Sequence, residues 1–151
     1  MSRIDDAMVA ATMRGYDRNN LFAFVAAIIG SDEARRLMEM YRVGTSKHWQ
    51  GATVFWQISA DGNVCGGKIM LYDRLTGYRV QEPFPHINWV HSVLKLPDFK
   101  LTQCFFGEHL LLYIRDKPVA IVESEKTAML ATYYLPQYLW LATGGKCSCL
   151  N

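Results

Sequence analysis

The most constraining stretch of the chain lies near its end. Val119 to Val122 is apolar, Glu125 to Tyr134 has helical character and halts before Pro136, and Tyr138 to Ala142 is apolar again. The two short runs read as strands buried on both faces, and a helix between them implies parallel pairing through a right-handed crossover. Parallel strands point the same way, so Glu123 and the Thr143-Gly144-Gly145 turn are expected on one edge of the sheet. Open α/β sheets place their ligands at that edge.

The first 44 residues read as helical: Ile4 to Met13 loosely, Leu21 to Ile29 after the capping residues Asn19 and Asn20, and Asp32 to Tyr41 after Ser31. In the third segment Leu37, Met38 and Tyr41 share a face, which predicts packing on a sheet. From Thr53 the pattern alternates, and Asp61-Gly62 occupies the place of a two-residue hairpin turn. That turn sets Val54 opposite Ile69, Trp56 opposite Gly67 and Ile58 opposite Cys65 as the core face. The other face pairs Thr53 with Met70, Phe55 with Lys68 and Gln57 with Gly66, and either another element or a ligand is expected to cover it. Asp73 to Gly77 reads as a turn, Pro83 and Pro85 mark an extended linker, and Ile87 to Leu94 and Glu108 to Tyr113 read as short helices. The predicted class is α+β: N-terminal helices and an antiparallel hairpin sheet, followed by a βαβ unit. It divides into 1–46 (helical), 47–117 (α+β) and 118–151 (βαβ).

Composition narrows the function. Half of the 151 residues are hydrophobic, enough for a real core. Lys and Arg number 16 against 14 acids, and no third of the chain departs from neutrality by more than one charge, so a polyanion would have to meet a local patch. The longest nearly pure apolar run is nine residues, Leu21 to Ile29, whereas a membrane helix needs about 20; no membrane partner is expected. Cys65, Cys104, Cys147 and Cys149 lack paired zinc spacing and read as free thiols of a cytoplasmic protein.

The acids after the first of the two late strands carry the chemistry. Ser124 can cap the following helix and Glu125 complements its dipole, but Glu123 stands one position earlier with its carboxylate over the sheet edge. Beside it Gly144 and Gly145 have bare amides that a phosphate can approach. A carboxylate next to such a turn suits a divalent cation bridging to a nucleotide or nucleic acid. A Glu after a strand and a Gly-Gly turn also have purely structural readings. His48, His86, His91 and His109 have no recognisable catalytic partners in sequence.

The stretch Val119-Ala120-Ile121-Val122-Glu123-Ser124-Glu125-Lys126-Thr127-Ala128, with Trp140-Leu141-Ala142-Thr143-Gly144-Gly145, resembles the opening of the Toprim domain of DnaG-type primases. Gly66 to Asp73 and Gly77-Tyr78-Arg79 are similar to the segment that precedes it, and with Tyr41 to Thr45 the whole looks like primase-like proteins of bacterial mobile elements. The resemblance implies Glu123 as metal ligand or acid/base residue, Gly144 and Gly145 as phosphate-binding turn, and Lys68, Arg74 and Arg79 as nucleic-acid contacts. It further implies Mg²⁺ in a complete homologue and single-stranded DNA or RNA as partner. Toprim domains complete their metal site with an Asp-x-Asp pair, absent from these 151 residues. The expectation is therefore a fragment or degenerate relative, catalytically incomplete. The alternative is a non-enzymatic interaction or self-association domain using an open sheet edge.

Overall fold

The computed structural model describes residues 1–145. The Cys147 and Cys149 thiols lie outside the described residues. The fold is α+β. Helices α1 (Asp6–Thr12), α2 (Asn20–Ile29) and α3 (Ser31–Met40) precede strands β1 (Gly44–Ser46), β2 (Ala52–Ile58), β3 (Val64–Met70) and β4 (Ile87–Trp89). The single turn α4 (Val90–Val93) and a 3₁₀ segment (Glu108–Leu112) lead to β5 (Val119–Val122), α5 (Glu125–Tyr134) and β6 (Leu139–Ala142). No helix among the described residues is long and apolar enough to cross a membrane.

Asn19 explains why the helices meet the sheet where they do. Its carboxamide oxygen accepts from the Phe22 amide, capping α2, and from the Thr53 hydroxyl on β2, while its NH₂ donates to the Gly44 carbonyl at the start of β1. A fully buried amide satisfied on all these sides fixes one relative position of helix and sheet. Gly30, at φ 92°, makes the corner between α2 and α3.

Strands β1 to β4 form one antiparallel sheet in sequence order, and every residue of β2 and β3 is buried. One face carries Val54, Trp56, Ile58 and Ile69 against Ile4, Val9 and Val90. The other carries Phe55 and Met70 into a larger core with Leu21, Leu37, Tyr41, Phe106, Met129 and Leu139, so protein elements cover the face whose cover the alternation left open. Gly67 makes room on the first of these faces. A Cβ there would lie 2.6 Å from the Trp56 ring, so only a bare backbone allows the indole to lie across β3.

Three local expectations are corrected. The hairpin loop has three residues, with Ser59 N–H bonded to Asn63 O and Gly62 alone left-handed at φ 83°; a two-residue type I′ turn needs positive φ at both central residues. The register shifts accordingly after Gln57, so that Ile58 faces Val64 and Cys65 is left unpaired, although the five pairs from Thr53–Met70 to Gln57–Gly66 are as expected. Ile87 to Leu94 is not one helix, because Ile87–Trp89 instead completes the sheet beside β3. Finally, β5 is not buried on both faces: Val119 and Ile121 are 46% and 50% exposed.

Candidate functional site

Parallel pairing of β5 with β6 runs from Val119–Leu139 to Val122–Ala142 and continues past both strands. The Thr143 amide donates to Val122 O and the Gly144 amide to Glu123 O, each at 2.9 Å. Glu123 and the Gly144-Gly145 turn therefore share one rim, as the strand pattern predicts. The Ser124 hydroxyl caps α5 by accepting from the Thr127 amide. A pocket of about 320 Å³ opens at this rim, lined by Glu123, Ser124, Gly144 and Gly145 and, from the antiparallel sheet and its following loop, by Lys68, Tyr72, Tyr78 and Arg79.

Glu125 and Lys68 form the floor. Their carboxylate and ammonium are 2.5 Å apart, both side chains almost wholly buried. Lys68 also donates to the Gly144 carbonyl. One cation thus ties together the first turn of α5, the glycine turn and β3. Gly144 belongs there for two reasons: its φ is 77°, and a Cβ would stand 3.1 Å from the Lys68 nitrogen. Lys68 is consequently not a solvent-facing contact for nucleic acid but the anchor of the rim.

Lys126 forms one wall. Its ammonium donates to Gly77 O at 2.6 Å and lies 5.6, 5.7 and 6.0 Å from the ring centres of Phe24, Tyr72 and Tyr78. Burial, then the nearby Arg79 charge, holds its pKa below the ordinary lysine value. Burial, reinforced by the Glu125 carboxylate, pushes the Tyr72 phenol far up, so it stays protonated. The loop carrying Gly77 is itself locked: the Asp73 carboxylate accepts from the Thr76 and Leu75 amides, which holds its pKa below the usual carboxylate value.

Among the sequence-predicted residues, Glu123, Lys68, Arg79, Gly144 and Gly145 all line this pocket and Arg74 does not. Arg74 points the other way, 3.5 Å from the Asp17 carbonyl oxygen. With Lys68 and Glu125 neutralising each other, the pocket presents Arg79 and Lys126 against the single exposed carboxylate of Glu123. Among the described residues no three His, Cys, Asp or Glu side chains converge. One free carboxylate does not make a cage for Mg²⁺, which would have to arrive on the phosphates of a ligand.

Lys126 is the pocket residue that sequence reasoning missed. The signal available was its place three residues after Glu123, in the first turn of the helix. No local pattern connects Glu125 with Lys68.

A family described as a domain of unknown function, DUF6371, matches residues 19–151. The chain belongs to this family. The DUF6371 match begins at Asn19, the cap of α2, and takes in every element that lines the pocket. Comparison with the curated proteins and with the solved structures returned no match.

Proposed function

We propose that this DUF6371 protein is a primase-like nucleic-acid-processing module that holds a phosphate of single-stranded DNA or RNA at the β5–β6 rim. The observation that carries this reading is the convergence of Glu123, Arg79, Lys126 and the Gly144-Gly145 turn on one pocket. Arg79 and Lys126 supply charge, and the glycines leave room for the backbone approach that a phosphate needs. One available carboxylate supports binding without polymerisation. A cytoplasmic role in replication or mobilisation of a mobile element belongs to the same reading and rests on the primase resemblance.

Anisotropy titration with a short single-stranded oligonucleotide tests it. Affinity should fall as salt rises, and Arg79→Ala should weaken binding by about tenfold, the low end for a charge-assisted hydrogen bond, as suits a partly solvated site. Salt-independent binding, or an Arg79→Ala variant that binds like the parent, rejects the reading.

A second reading, association through the sheet edge, is favoured by β5. That strand pairs only with β6 among the described residues, and its Val119 and Ile121 side chains are half exposed. Apolar edge strands are templates for further pairing. Sedimentation should then show a concentration-dependent dimer that Ile121→Lys returns to monomer; a parent that stays monomeric at high concentration removes this option.

A further inference from the structure

On the other side of the loop that carries Arg79 lies a wider cleft, of about 960 Å³. Its lining includes Arg14, Arg18, Lys47 and Arg74 against the single carboxylate of Asp17, a net +3, whereas the whole chain carries only +2. The chain's excess of positive charge is therefore concentrated at this cleft, since the remaining residues sum to −1. All four cations are exposed, and the Arg18–Asp17 pair at 3.9 Å is too long and too solvated to occupy the arginine.

Aromatic rings stand at the margin of the same cleft. Trp49 lines it and is in ring contact with His48 at 4.4 Å and His86 at 4.9 Å, and His86 is stacked on Phe84 at 4.3 Å. Phe84 is half exposed and His48 is exposed. These rings come from two separate segments, 48–49 and 84–86; Trp49 is half-buried against the Val54–Trp56–Ile58 face of the sheet, and the cluster reaches the surface at His48 and Phe84. Cations along a groove with planar rings at its edge match a strand whose phosphates are charged and whose bases are unstacked. A duplex hides its base faces, and an acidic peptide has none to offer.

We propose that this cleft is a second nucleic-acid contact, in which Arg14, Arg18, Lys47 and Arg74 hold the backbone of a single strand while Trp49, His48 and Phe84 take its bases. Arg74 and Arg79 sit at the two ends of one locked turn, so a strand leaving the cleft along that turn reaches the β5–β6 rim. The inference goes beyond the pocket reading, because the cleft can bind whether or not the pocket does.

The test is an anisotropy titration of the full chain with labelled oligothymidylate of about 12 residues, within the usual site size of one single-strand module. Lys47→Ala with Arg74→Ala should weaken binding and flatten the dependence of log affinity on log salt by about 1.4, because each phosphate no longer neutralised removes about 0.7 from the slope. Trp49→Leu should cost about tenfold and Trp49→Phe much less, since leucine keeps an apolar side chain but offers no ring face. Thermal melting confirms that each variant folds, and the solvent-exposed Lys47 and Arg74 carry the test if Trp49→Leu does not. Parent-like binding by the Lys47/Arg74 variant overturns the inference. So does equal affinity for a duplex or for polyglutamate, which would mark the cleft as a general polyanion or acidic-protein surface. Weakening on Arg79→Ala alone would leave the pocket reading standing and sink this one; weakening in the cleft variants alone would do the reverse.

Discussion

The β2–β3 hairpin and the β5–α5–β6 unit are built from similar apolar runs and end in different environments. The hairpin is buried on both faces, one against Ile4, Val9 and Val90 and the other in the larger core. In the βαβ unit, β6 reaches that core through Leu139 and Leu141, while Val119 and Ile121 on β5 stay half exposed. Every exposed group proposed to bind phosphate at the rim lies outside the hairpin. The single polar side chain that the hairpin contributes to the pocket, Lys68, is buried and holds the rim in place. The hairpin's strands are buried throughout, the βαβ unit combines core residues with the exposed rim, and the buried Lys68–Glu125 ion pair joins the two.

The contrast between the two regions is tested most severely at Trp56, which is 1% exposed and donates its indole N–H to the Thr12 hydroxyl at 2.9 Å. Trp56→Ala should destabilise by about 4 kcal/mol in urea unfolding. Ile121→Ala, at the half-exposed strand, should cost only about 1 kcal/mol by the same measurement, since about half of its side chain stays in water. Comparable effects at the two sites would erase the distinction.

The joint is probed next. Lys68→Met leaves Glu125 buried without its partner and should destabilise by about 3 kcal/mol, with much of the stability recovered on adding Glu125→Leu, because an apolar pair of similar volume avoids the desolvation of both charges. If the double variant is as unstable as the single one, the damage comes from breaking the Lys68–Gly144 hydrogen bond and not from the orphaned carboxylate.

A smaller effect should appear with pH. Burial, ahead of the nearby Arg42 charge, holds the His109 pKa below its ordinary 6.5; its Nε2 faces the Met40 carbonyl and its Nδ1 is buried without a hydrogen-bond partner. The unfolded chain therefore binds the proton more readily. Stability is fully present above pH 6.5 and declines as pH falls from there toward the depressed folded value. Melting temperature measured between about pH 7.5 and 5 should drop less for His109→Gln than for the parent. Parallel profiles would place the acid sensitivity elsewhere.

The features legible in the sequence are those set by neighbours in the chain. The Asn19 and Ser124 caps, the five hairpin pairs before the bulge and the parallel β5–β6 rim follow from cap chemistry, side-chain alternation and crossover geometry. The features that escaped depend on distant partners. Ile87–Trp89 becomes a strand because β3 offers an unpaired edge, and nothing within that short segment announces it. Glu125 reads locally as a helix-dipole residue and Lys68 as a surface cation, yet folding buries them against each other. Arg74 and Arg79 are close in sequence, but the Asp73–Gly77 turn sends them to different clefts.

Phosphate capture at the β5–β6 rim is tested most directly by titrating ¹⁵N-labelled protein with a short single-stranded oligonucleotide and following its backbone amides. Ser124, Gly144 and Gly145 should shift together as ligand is added, while Gly62, on the distant hairpin loop, should stay in place. Binding that leaves those three amides unmoved would contradict a phosphate site at the rim.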